Sequence, residues 1–193
     1  MAAADQPDAI ALLKADHRKV EGLFEKFEAA SGKSQKEQLA RQICTELTIH
    51  TVIEEEIFYP ACKGKVEDDL LSESYVEHDA AKVLIAEIEK GGPDEAFYDA
   101  KVKVLSEEIV HHVKEEEKPA EGLFAQARKA DLDMDAIGRM LEARKQDLMA
   151  EVKQDGLPPP ETRSFSGAEV EHGEPVDQPQ EPPETGEQRP GAR

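Results

Sequence analysis

Tryptophan is absent from this 193-residue chain, aromatic residues make up 5% of it, and there are only two cysteines. Cys44 and Cys62 lie too far apart for a C-x-x-C redox pair, so they read as free, core-filling thiols of a cytoplasmic protein. No apolar run approaches the ~20 residues that span a bilayer. The opening MAAADQPDA has neither a basic n-region nor an apolar h-region, so no secretory signal is expected. Positive charge is also scarce: 24 basic residues against 43 acidic ones give a net charge of -19. Such a field repels phosphate backbones and anionic lipid surfaces, which makes nucleic acid and membrane poor partners, and it attracts cations. Period-two alternation is missing too, and with it any strand signal.

What is present is helix, then a tail. From Asp155 onward come eight of the twelve prolines, no lysine, and runs such as LPPPETR. Residues 155–193 are expected to be a disordered, solvating extension, with a protein partner for the acidic tail as the alternative. Residues 1–154 read as one helical domain. Pro7-Asp8 opens a first helix that fails at Ser31-Gly32, and Ser34 to Glu37 offers a capping box for a second that reaches about Cys62. A third helix is expected over Asp68–Lys90, and a fourth from Pro93-Asp94 to Pro119. A short turn over Glu121–Lys129 and a closing amphipathic helix over Asp133–Gln154 follow. Short Gly/Pro/Ser connections between long helices predict an all-α, up-down-up-down antiparallel four-helix bundle. The closing helix, with Ile137, Met140, Leu141, Leu148 and Met149, is expected to pack outside it or across one end.

Polar residues interrupt the apolar seams. The first helix presents Ile10, Leu13, His17, Val20, Phe24 and Phe27; the second presents Leu39, Ile43, Leu47, His50, Glu54 and Ile57. A buried, unpaired Glu54 costs several kcal/mol, so it needs a cation or a proton. A shift of 61 residues superposes His17 on His78, His50 on His111 and Glu54 on Glu115. In the stretch VHHVKEEE, His112 has a local claim, because it shares an apolar face with Leu105 and Ile109 and has Glu116 one turn on. The repeat selects His111 and Glu115 instead. Two hairpins so related bring four histidines and two glutamates to one level. Each H-x-x-x-E pair lies on one helix face about 6 Å apart. Imidazole and carboxylate without thiolate suit iron, with manganese or zinc as alternatives.

The segments Asp16-His17, HTVIEEEIFYP, Glu77-His78-Asp79 and HHVKEEE resemble the hemerythrin-like HHE cation-binding domain over about the first 150 residues. DLDMDAIGRMLEARKQDL (Asp131–Leu148) resembles the helix that follows the bundle in bacterial members. The resemblance implies a non-haem di-iron centre meeting dioxygen, peroxide or nitric oxide, in stress protection or iron homeostasis. It gives His17, His50, Glu54, His78, His111 and Glu115 as ligands. The fifth histidine of oxygen carriers is matched by Ser74, which ranks a reversible carrier lower. Tyr75 is a candidate phenolate in its place, Tyr59 is expected to pack at the helix end, and Glu77 and Asp79 to lie at the surface. The alternatives are a peroxide-decomposing enzyme, an iron-sulfur cluster repair factor, and a metal-free helical interaction module. No acid/base group dedicated to turnover stands out.

Overall fold

The computed structural model describes residues 7–167, and within them every regular element is helical. Helix α1 (Ala9–Ala29) starts where the Asp8 carboxylate accepts from the Ala11 amide at 2.8 Å. Helix α2 (Lys33–Ile53) begins directly after Gly32, which caps it without a side chain. Ser34 therefore lies inside the helix, and the expected capping box does not form. A single π-helical turn, Glu54–Phe58, joins α2 to the short α3 (Tyr59–Cys62). Pro60 has no amide to offer the Glu56 carbonyl, and its ring crowds the preceding turn; widening the ladder there relieves both. Helices α4 (Asp68–Lys90) and α5 (Tyr98–Glu116) form the second hairpin. The short α6 (Leu123–Lys129) and the long α7 (Met134–Asp155) follow. Helix α5 starts at Tyr98 rather than at Pro93, because 93–97 are spent on turns.

Contacts of α1 with α2 and α5, and of α4 with α2 and α5, close an antiparallel four-helix bundle. Helix α7 lies along α1 and α2. It buries Ile137, Leu141 and Leu148, while Met140 and Met149, expected on the same face, are exposed. Gly138 permits the approach: a Cβ there would stand 2.8 Å from the Ala9 amide nitrogen and from the Pro7 carbonyl. Two apolar clusters fill the bundle, one around Leu13, Ile53, Phe58 and Leu141, the other around Phe24, Ile43, Ile85 and Leu105. Both cysteines are free and buried within them. Between the clusters lies a layer of buried histidine and glutamate.

The segment expected to be a disordered tail is ordered at its start. Leu157 packs against the bundle, and the 161–164 stretch bonds to α4. Three prolines make it an extended strap with little freedom to lose, and buried charges on α4 give it partners. Residues 168–193 of the expected tail lie outside the described residues.

Candidate metal centre

Each bundle helix contributes one histidine to the polar layer. His17 (α1), His50 (α2), His78 (α4) and His112 (α5) are all buried, as are Glu54 and Glu116. Their inward atoms converge. His17 Nε2 lies 3.1 Å from His50 Nε2. Glu54 Oε2 lies 3.1 Å from His50 Nε2 and 3.3 Å from His78 Nε2. Glu116 Oε2 lies 3.4 Å from His17 Nε2 and 3.5 Å from His112 Nε2. Two groups of potential ligand atoms result, each within 4.8 Å: His17, His50, Glu54 and Glu116; and Glu54, His78 and His112.

The outward ring nitrogens face carboxylates. His17 Nδ1 is 2.9 Å from Glu117, His78 Nδ1 3.1 Å from Glu55 and His112 Nδ1 2.8 Å from Glu77. His50 Nδ1 faces Asp16 at 3.8 Å, a charge contact too long for a hydrogen bond. A carboxylate at Nδ1 holds the proton there and leaves the Nε2 lone pair pointing inward, the tautomer a metal ligand needs.

The sequence expectation and the structure part at VHHVKEEE. His17, His50, Glu54 and His78 come together; His111 and Glu115 do not join them. His111 is 60% exposed at its side chain and lies 3.5 Å from Glu77 on the outer surface. The correction has a geometric cause. The α1–α2 connection spans residues 30–32 and the α4–α5 connection 91–97, so a single offset does not carry through both helices of a hairpin. An offset of 61 superposes α1 on α4, but α2 falls on α5 at 62: Ile43 on Leu105, Leu47 on Ile109, His50 on His112 and Glu54 on Glu116. The apolar face shared by His112, Leu105 and Ile109 was the signal that identifies the right pair. Val104 and Val110, which an offset of 61 places inward, are exposed.

The phenol in the centre belongs to Tyr59, not Tyr75. Tyr59 is fully buried, with its hydroxyl 3.2 Å from Glu54 Oε2, 3.1 Å from Glu116 Oε1 and 3.1 Å from His78 Nε2. In an α-helix at about 100° per residue it would point some 140° away from Glu54. The π turn, whose last amide (Tyr59) bonds the Glu54 carbonyl, brings it back over that residue. Tyr75 is half-buried, stacks edge-on against Tyr59 at 5.2 Å and feels Glu55 and Arg163 instead. Two further residues expected at the surface serve the interior, Glu77 from a partly buried position. Asp79 is fully buried, and Glu77 holds His112. Phe124 of α6 closes the end of the site by stacking on His17 at 5.7 Å.

Without metal the layer is electrostatically frustrated. Burial drives His17 down to about 4, with Glu117 opposing. Burial works against the charged form of His50 as well, but Glu54 and Asp16 outweigh it and take the imidazole up to about 10. Burial likewise opposes ionised Glu54, yet His50 and His78 hold it well below the usual carboxylate range. Burial and the charge on Glu54 push Glu116 up to about 8. Two carboxylates at one level share too little positive charge for both to ionise. Glu54 Oε1, Glu116 Oε2 and His112 Nε2 are buried without a hydrogen-bond partner. Unpartnered polar atoms of imidazole and carboxylate, buried in one layer, fit a cation.

The family model for the hemerythrin HHE cation binding domain matches residues 8–127. The fold is also that of a hemerythrin HHE cation binding domain-containing protein from Mycobacterium kansasii, with a TM-score of 0.63 and 20% identity, over 78% of this chain and 94% of that one. A curated relative from Nostoc sp. (strain PCC 7120), a DNA nickase, is 28% identical over 117 residues. Those residues are 61% of this chain, and it spans only 32% of the nickase's length. The class defined by bundle and site is a helical cation-binding domain with a buried His/Glu cluster that could hold metal. The chain belongs to the hemerythrin HHE cation-binding family. No helix among the described residues is long and apolar enough to cross a membrane.

Proposed function

We propose that the chain is a non-haem protein that holds two iron ions and responds to peroxide, dioxygen or nitric oxide. One observation carries the reading. Each glutamate reaches one histidine of both hairpins: Glu54 Oε2 lies between His50 and His78, and Glu116 Oε2 between His17 and His112. Carboxylates so placed can bridge two cations and offset part of their charge. The thiolate-free donor set suits iron or manganese, and zinc binds such sets too. Iron, when bound, supplies one-electron redox chemistry. The chain's own residues orient the imidazoles, through Glu117, Asp16, Glu55 and Glu77, and exclude water. A cavity of only ≈10 Å³ lies beside the four histidines, walled by Val20, Leu47, Ile109 and Val113. That is room for about one water molecule, which disfavours an organic substrate there. Ser74 gives its hydroxyl proton to the Leu70 carbonyl at 3.0 Å, so no fifth imidazole completes an oxygen-carrier pattern.

Tyr59 favours a second reading, turnover of hydrogen peroxide. Burial and the two glutamates push its phenol well above the usual range, so it keeps a proton at the centre. Its hydroxyl is a hydrogen-bond donor at the centre, within 3.2 Å of both glutamates. A metal-free interaction module is disfavoured by the orphaned polar atoms, since apolar side chains would serve such a core better. Nicking is not carried over from the Nostoc relative: a net charge of -19 is a poor surface for a phosphate backbone.

The test is anaerobic loading with ferrous iron followed by exposure to air. About two irons per chain and a new near-ultraviolet charge-transfer absorption are expected. Less than one metal per chain overturns the reading. Steady-state oxygen evolution from peroxide, lost in Tyr59→Phe while both irons stay bound, separates turnover from stoichiometric oxidation.

A further inference from the structure

The family match ends at residue 127, yet the chain beyond it reaches two of the carboxylates that orient the histidines. Asp16, which faces His50 Nδ1, is ion-paired with Lys145 of α7, both side chains largely buried. Glu55, which accepts from His78 Nδ1, accepts from Arg163 Nε at 2.6 Å through its other oxygen. Lys82 also bonds Glu55, at 2.7 Å, and ties the strap down by donating to the Glu161 carbonyl at 3.0 Å. The strap is pinned beside Arg163: Asp79 Oδ2 accepts from the Arg163 amide at 2.8 Å, the Ser164 amide at 2.6 Å and the Ser164 hydroxyl at 2.7 Å. Asp79 itself is fully buried and follows His78 in sequence. The contrast within the site is informative. Glu117, which serves His17, takes its cations Lys14 and Arg18 from α1, inside the bundle. Asp16 and Glu55 take one each from the C-terminal extension.

We propose that residues 134–164 form a tuning element for the metal centre, in which Lys145 and Arg163 act as positioning residues for His50 and His78. The inference rests on the metal reading above. His50 and His78 belong to different ligand groups, so the extension addresses each of the two sites once. A cation on the far oxygen of a carboxylate fixes its rotamer and draws its charge away from the imidazole it faces. Removing that cation leaves the histidine less firmly oriented, which loosens the metal, and more electron-rich, which favours the metal's oxidised form.

The experiment uses the full chain loaded with ferrous iron, its Lys145→Met and Arg163→Met variants, the double variant, and the charge-conserving Lys145→Arg and Arg163→Lys. Readouts are the rate of iron loss to a chelator, the midpoint potential, and the thermal midpoint of the metal-free protein. Each methionine variant is expected to lose iron up to about tenfold faster, with a more negative potential and a wider effect in the double variant. The charge-conserving variants should return both readouts toward the parent. The inference is overturned if a parent that loads two irons is matched by the methionine variants in rate and potential. It is equally overturned if the losses persist in Arg163→Lys and Lys145→Arg, because packing alone would then explain them. A parent that takes up no iron overturns the metal reading itself, and the two failures remain distinct.

Discussion

The two hairpins give the centre the same inventory, two histidines and a glutamate each, but they do not give it the same chemistry. In the first hairpin the helix after His50 passes through a π turn, and Tyr59 swings in beside Glu54. In the second, α5 remains α-helical through Glu116 and ends directly after it. Glu54 faces His50 and His78 and stays charged, whereas Glu116, left with the repulsion of Glu54, keeps a proton up to about 8. The pseudo-twofold relation fixes where ligands stand. The departures from it decide which glutamate carries a proton and which one the phenol's hairpin brings beside it.

The largest effect should come from testing which histidine completes the second hairpin. His112→Ala is expected to lower bound metal from about two ions per chain to one or fewer, by elemental analysis, while His111→Ala retains both. Next comes pH. In the metal-free protein His50 holds a proton below about 10 and Glu116 below about 8. At pH 7 both protons must leave when metal binds, whereas His17, at about 4, is already neutral. Burial opposes a charged His78 too, but Glu54 and Glu55 raise it, so affinity should rise with pH through neutrality and fall in acid, with protons released on loading in weak buffer.

Tyr59→Phe removes the donor shared by the unlike glutamates. It should destabilise the metal-free fold by about 1–3 kcal/mol in denaturant titration, since a buried carboxylate is left without its partner. The second hairpin also carries an anchor absent from the first: Asp79 corresponds to Arg18. The strap amides and Lys82 overcome burial and hold Asp79 down at about 2. A depressed carboxyl stabilises above its unfolded value of about 3.9 and loses that contribution as pH falls through about 2, so Asp79→Asn should cost about 2 kcal/mol at pH 7. The smallest effect concerns the α5–α6 link, where Ala120 sits at φ 67°. Ala120→Gly should raise stability by up to about 1 kcal/mol, read as a small increase in thermal midpoint.

The bundle was legible because its signals are local. Seam periodicity marked Ile10, Leu13, Val20, Phe24 and Phe27 as buried, and all five are. The same seams singled out His17, His50, Glu54 and His78, which the structure brings together. What failed was non-local or non-α. His111 was preferred to His112 because one rigid offset was applied across connections of different length. Tyr59 was missed because a seam drawn at α spacing cannot represent a π turn, although Pro60 was a visible reason to expect a disturbed ladder there. Glu77, Asp79 and the strap were misjudged because charge and proline read as solvated until partners are known. Of those partners only Lys82 is local, 3 positions from Asp79; His112 lies 35 positions from Glu77 and Arg163 84 from Asp79, separations that no local pattern encodes.

The π turn has a consequence for heredity. The π turn absorbs one residue of slack: five positions after Glu54, the phenol still stands over that residue. A single-codon deletion between Glu54 and Phe58 should restore α spacing and put the tyrosine four positions after Glu54, some 40° away and on the same face, with His50 and Glu54 undisturbed upstream. Chains of this kind can therefore gain or lose a residue here by widening or closing one turn, with the phenol kept at the polar layer.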